Sequence, residues 1–203
     1  MNYWSTSRYR EKLRGLAAPH RENCRGRIIA YKTAAYKIAA HQRRSRTEAL
    51  LSISRGGAVL PELTEQGDLP PGVHPAGWQE FRVRFCGASP RRVWLSGRLR
   101  ALLDLAATNG KLRRAFIWGS FVTAKPAPKD IDILLIMDDD FEVDGVAAPA
   151  QAVFDSVRAK LLFESDVFWA RSSIGRELLE LWLETYQTSR GFQKRGIVEL
   201  ELR

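Results

Sequence analysis

Two short apolar runs separated by a glycine turn limit what this chain can fold into, because the second run carries aspartates where a buried strand tolerates charge least. The first run, Ala115-Phe116-Ile117-Trp118, ends at Gly119-Ser120. Residues 121–129 intervene, and Asp130-Ile131-Asp132 then opens the run Ile133-Leu134-Leu135-Ile136-Met137. Successive side chains of a strand point to opposite faces. Ile131, Ile133, Leu135 and Met137 therefore predict one buried face, and Leu134 and Ile136 a second. By the same parity Asp130 and Asp132 share a face, with their carboxylates a few ångströms apart.

Two carboxylates at the end of a buried strand repel each other and lose hydration unless a positive charge compensates them. Mg²⁺ is the natural compensation, because it takes hard oxygen ligands from one or two carboxylates and completes its shell with water and phosphate. Gly119 allows a sharp turn and a close backbone approach. Ser120 would open a helical turn whose free N–H groups and hydroxyl face phosphates, with Lys125 and Lys129 adding charge in the connection to the aspartates. These parts together predict a site for a nucleotide triphosphate, although Lys129 reads better as part of a solvated loop.

This arrangement resembles the DNA polymerase β-like nucleotidyltransferase superfamily, whose core motif is an apolar residue, Gly, Gly or Ser, a spacer and Asp-x-Asp. More narrowly, Leu69-Pro70-Pro71-Gly72-Val73-His74, Gly119-Ser120-Phe121-Val122-Thr123-Ala124-Lys125 and Lys194-Arg195-Gly196-Ile197-Val198 resemble a family of small, uncharacterised bacterial members of that superfamily. The resemblance spans about residues 60–203. It implies an enzyme that moves a nucleoside monophosphate from an NTP such as ATP to a hydroxyl acceptor with two Mg²⁺ ions. The acceptor stays open among tRNA, a protein and a small molecule, and a toxin–antitoxin component is one setting. The alternative is a catalytically weak nucleotidyltransferase-like binding module, an antitoxin partner or RNA-binding protein.

Superfamily members usually carry a third carboxylate on a later strand. Here it is expected at Asp166, in the β-prone stretch Leu162-Phe163-Glu164-Ser165-Asp166-Val167-Phe168-Trp169, with Glu164 as the competitor by parity. The catalytic and metal-binding set is thus Asp130, Asp132 and Asp166, and the nucleotide-binding set Gly119, Ser120 and Lys125. Asp138-Asp139-Asp140 is expected to cap a strand end in water, with Asp138 about 20 Å along the strand from Asp132.

A chain of 203 residues with 45% hydrophobic content can bury one good core. The net charge of +9 is placed unevenly: residues 1–58 hold 13 Lys and Arg against Glu11, Glu22 and Glu48, while the remaining 19 basic and 20 acidic residues nearly cancel. The division predicted is a basic extension over 1–58, disordered or helical, and a nucleotidyltransferase-like domain over 59–203. The extension reads as a poorly ordered tail or translated upstream sequence, as a nucleic-acid arm with Tyr31 and Tyr36 among its basic residues, or as a transit-type segment. Cys24 and Cys86 and the histidines His20, His41 and His74 show no metal-ligand spacing, which suits a reducing, cytoplasmic setting. No apolar segment is long enough to cross a bilayer, so no membrane partner is expected.

The remaining pattern predicts a rigid loop through Pro70–Pro75, a helix with Trp78, Phe81 and Phe85 on one face, and a helix over 91–107 stopped at Asn109-Gly110. A further helix is predicted over 147–161, another over 173–188 with Ser173 near its N-cap, and a final strand over 196–202. His74 would serve as a structural loop residue or touch a base or sugar. Trp182 and Tyr186 belong to a core or a partner face. The expected fold is α/β (α+β): a minimal nucleotidyltransferase core with a mixed β-sheet and helices packed mainly on one face.

Overall fold

The computed structural model describes residues 59–189 and 192–202; the predicted extension over 1–58 lies outside them. Five strands and five α-helices are formed among the described residues: β1 (Val73–Gly77), α1 (Trp78–Phe85), α2 (Pro90–Ala106), β2 (Leu112–Trp118), β3 (Ile131–Met137), α3 (Ala148–Phe154), α4 (Ser156–Phe163), β4 (Ser165–Arg171), α5 (Arg176–Gln187) and β5 (Ile197–Glu201). The strands make one mixed sheet in the order β1-β5-β2-β3-β4. The β1–β5 and β3–β4 pairs are parallel, and β2 is antiparallel to both β3 and β5.

The alternation in β3 divides the core as its sequence requires. Ile131, Ile133, Leu135 and Met137 join Ile117 and Val198 in a large cluster with α1–α4, anchored by Phe81, Phe85, Leu95 and Leu99. Leu134 and Ile136 face the other way, with Phe116, Trp118 and Ile197, and meet Leu179 and Leu183 of α5. Four helices therefore cover one face and a single helix the other, in keeping with the expected α+β architecture. Trp182 and Tyr186 of α5 pack against this second cluster.

Local chemistry sets the element ends. Ser89 accepts from the Arg92 N–H at 3.2 Å, and Pro90 supplies the first helical position of α2. The single helix expected over 147–161 is instead two. Asp155 takes an extended conformation and its carboxylate accepts from the N–H groups of Val157 and Arg158, both at 3.0 Å, so that it caps α4 and interrupts the apolar periodicity. Ser173 is not an N-cap. It lies in a 3₁₀ turn, Ser172–Ile174, and α5 begins after Gly175. The segment expected to be a loop through Pro75 contains β1, with Pro75 opposite Glu199. His74 has a structural role, its Nε2 lying 2.8 Å from the Pro70 carbonyl, which requires the proton on Nε2.

The three segments quoted for the narrower resemblance close on one another. The N–H groups of Gly196 and Ile197 donate to the carbonyls of Leu69 and Gly72. A Cβ on Gly196 would stand 2.4 Å from the Pro70 carbonyl oxygen, so the approach requires glycine. Asp68 pairs with Arg195 at 2.9 Å and forms a bridge to Thr123, at the foot of the Gly119 loop.

Candidate active site

Sheet register assembles the aspartates. Trp118, the last residue of β2, lies opposite Asp132, and Asp132 lies opposite Asp166 on the parallel strand β4. Neighbouring strands are about 4.8 Å apart, so the two aspartates stand side by side on one face. Asp130 immediately precedes β3, outside the ladder. Glu164 does not compete for this position. It takes the left-handed conformation that ends α4, with φ 52°, and its carboxylate receives the Trp94 indole N–H at 2.7 Å and the Arg91 guanidinium at 2.7 Å.

Gly119 provides the close approach. Its φ of 73° lies in the region that favours glycine, and a Cβ there would come within 2.2 Å of Asp132 Oδ2. The bend therefore rests on the carboxylate itself. Changing Gly119 to Ala should displace Asp132 and cost about 1–3 kcal/mol of stability through strain at positive φ and the clash. A denaturant midpoint equal to wild type would show that the bend relaxes freely.

Behind the bend a 3₁₀ turn, Gly119–Val122, buries Phe121 and Val122. A loop running inside a protein must satisfy its carbonyls, and the first turn of α2 does this. Arg92 is 1% exposed. Its guanidinium donates to the carbonyls of Phe85 and Phe121, both at 2.8 Å, to Lys125 at 2.8 and 2.9 Å, and to Ser120 and Thr123. Burial lowers its pKa from the usual value. Ser89 and Arg91 continue the clamp along the spacer, donating to Pro126, Pro128 and Lys129 carbonyls. Ser120 and Lys125 are thus fixed through their backbones. The Lys125 side chain is exposed, as is that of Lys129.

Lys160 of α4 meets two of the aspartates. Its ammonium donates to Asp130 Oδ2 at 2.6 Å and to Asp166 Oδ2 at 2.7 Å, bringing those carboxylates within two hydrogen-bond lengths of each other. Burial pulls the Lys160 pKa down, but the two carboxylates outweigh it and the net direction is upward, so the ammonium stays charged. Nothing in the spacing around Lys160 announces this role. Among the described residues, no three His, Cys, Asp or Glu side chains are gathered closely enough to hold one metal ion. The oxygen chemistry nevertheless suits a hard divalent ion, since two carboxylates from different elements already converge on a cation.

The surroundings complete the site. Trp118 stacks on Tyr186 with ring centroids 4.1 Å apart and planes 10° from parallel, and half-exposed Phe168, two residues beyond Asp166, tilts against both. The Asp138–Asp140 run is engaged at the far strand end as expected: Asp138 with Arg113, Asp139 with the hydroxyl of Ser172 and the N–H of Ser173, and Asp140 with Lys111. Cys86 is buried, which pushes its thiol up to about 11 and leaves it a protonated packing residue at neutral pH. No helix among the described residues is long and apolar enough to cross a membrane.

No curated protein and no solved structure matches the chain. A family model described as "Family of unknown function (DUF6932)" matches residues 61–201. That span takes in the whole sheet, the Gly119 bend and all three aspartates, and the chain belongs to this family.

Proposed function

We propose that this protein transfers a nucleoside monophosphate from an NTP to a hydroxyl acceptor with the help of Mg²⁺. The observation that carries the reading is the row Trp118, Asp132, Asp166 across three adjacent strands, with Gly119 turned onto the Asp132 carboxylate. The Asp132–Asp166 pair beside a glycine bend, with Asp130 drawn to Asp166 through Lys160, is an acidic site of the kind through which divalent ions hold a triphosphate.

In this reading Asp130, Asp132 and Asp166 would supply oxygen ligands, shared out between the ions. When bound, paired Mg²⁺ ions would supply positive charge to the phosphates and lower the pKa of the acceptor hydroxyl. Gly119 would let the backbone approach the β- and γ-phosphates, and the N–H groups of the 3₁₀ turn, the Ser120 hydroxyl and the exposed Lys125 ammonium would be the groups to contact them. The acceptor oxygen would attack the α-phosphorus in line, its proton passing to solvent, and the new P–O bond would form as the bond to pyrophosphate breaks. The acceptor is tRNA, a protein hydroxyl or a small molecule in a cytosolic setting. A nucleic acid would find its electrostatic partner in the basic residues of 1–58.

One observation favours a second reading. Lys160 already neutralises two of the three carboxylates, as a nucleotidyltransferase-like binding module without metal chemistry would need. Titrating each NTP calorimetrically with and without Mg²⁺, and incubating labelled NTPs with a total cell extract, separates the two. Metal-dependent affinity and a labelled acceptor are expected. Metal-independent affinity with no label transferred from any NTP would favour the binding module.

A further inference from the structure

Lys160 lies on α4, whereas its two partners lie on the loop before β3 and on β4. The side chain reaches across the turn at Glu164 to place its ammonium between them. A divalent ion bridging those oxygens from the same side, at the roughly 2.0–2.1 Å that Mg²⁺ demands, would collide with Nζ. From the opposite side it would still feel a like charge a few ångströms away. The two cations therefore compete. The lysine is also equipped to give way: its side chain is 41% exposed, on a flexible four-carbon stem.

We infer that Lys160 is a resident cation that holds Asp130 and Asp166 in place in the metal-free protein and must be displaced before a divalent ion binds, so that it sets the affinity of the site for Mg²⁺. The inference rests on the metal-dependent reading above and adds a residue that the Asp-x-Asp motif does not contain. Lys160 is a positioning residue in this account. Its removal has opposite consequences for the two states of the site, loosening the metal-free carboxylates and strengthening their hold on the metal.

Calorimetric titration of the full chain with MgCl₂ alone tests this, comparing wild type with Lys160→Met and Lys160→Arg. Lys160→Met should bind Mg²⁺ at least about tenfold more tightly, and its melting temperature should rise more on adding Mg²⁺ than that of wild type. Lys160→Arg, which keeps the charge, should remain close to wild type. Lys160→Gln stands in if the Met variant fails to fold. Equal Mg²⁺ affinity in wild type and the neutral variant overturns the role of Lys160 while leaving the metal-dependent reading intact. No Mg²⁺ binding by any of these proteins overturns both.

Discussion

Replacing Asp132 by Asn should leave the protein folded and reduce nucleoside monophosphate transfer by at least about a thousandfold, equivalent to some 4 kcal/mol of barrier. Asp132 is the central member of the row, flanked by Trp118 and Asp166 and overlaid by the Gly119 bend. Asn has nearly the same shape, so the contact with Gly119 survives and no cavity forms. What is lost is one negative charge and one anionic oxygen, which a divalent ion needs and an amide supplies poorly. Asp130→Asn should act in the same direction, with one difference: it also removes a charged partner of Lys160. That pair is partly exposed, so its effect on stability is expected to be small. The comparison is made by label transfer from NTP with Mg²⁺ beside a thermal melt of each variant. An Asp132→Asn protein with wild-type turnover would end the nucleotidyl-transfer proposal, and one that failed to fold would show that the carboxylate is structural.

How far this geometry was legible in the sequence follows from the range of the interactions involved. The alternation of β3 was legible because each residue's face depends only on its parity; Asp166 was expected from the resemblance, parity alone left Glu164 equal to it, and the pairing of Asp166 with Asp132 comes from the β3–β4 register. The strand Val73–Gly77 was missed because Pro75 argues against a strand. The sheet order resolves the conflict: β1 is an edge strand, where a residue without an N–H costs no ladder bond on its open side. The break at Asp155 was missed because apolar periodicity runs through it while the cap depends on one side chain turning back to its own backbone. Lys160 and Arg92 were beyond reach for a different reason. Lys160 meets Asp130 across 30 positions of chain and Arg92 meets Lys125 across 33. No local pattern distinguishes either residue from the many other basic side chains of this protein.

Arg92 is the residue whose loss should cost the fold most. Its guanidinium is the shared donor for the carbonyls of Phe85, Ser120, Phe121, Thr123 and Lys125. Substituting Met would keep much of the side-chain volume but leave those oxygens without that donor in a buried setting. Each stranded acceptor costs about 1–3 kcal/mol, moderated where the loop can shift or admit water. Taken over these five acceptors, with that moderation, the loss should come to about 3–5 kcal/mol. For a domain of this size such a loss corresponds to a fall in melting temperature of roughly 6–20 °C. Arg92→Lys should recover only part of it, because an ammonium carries three donors on a point charge and cannot span carbonyls that the planar fork reaches together. The damage should also be directional: the bend at Gly119 and the spacer to Asp130 hang from these bonds, so amide exchange in residues 119–125 should accelerate more than in the β3–β4 ladder. Thermal melts and hydrogen exchange on wild type, Arg92→Met and Arg92→Lys measure both effects. A Met variant that melts within about 2 °C of wild type would mean that water replaces the guanidinium at little cost, and that the loop carrying Gly119 is held by its buried Phe121 and Val122 rather than by Arg92.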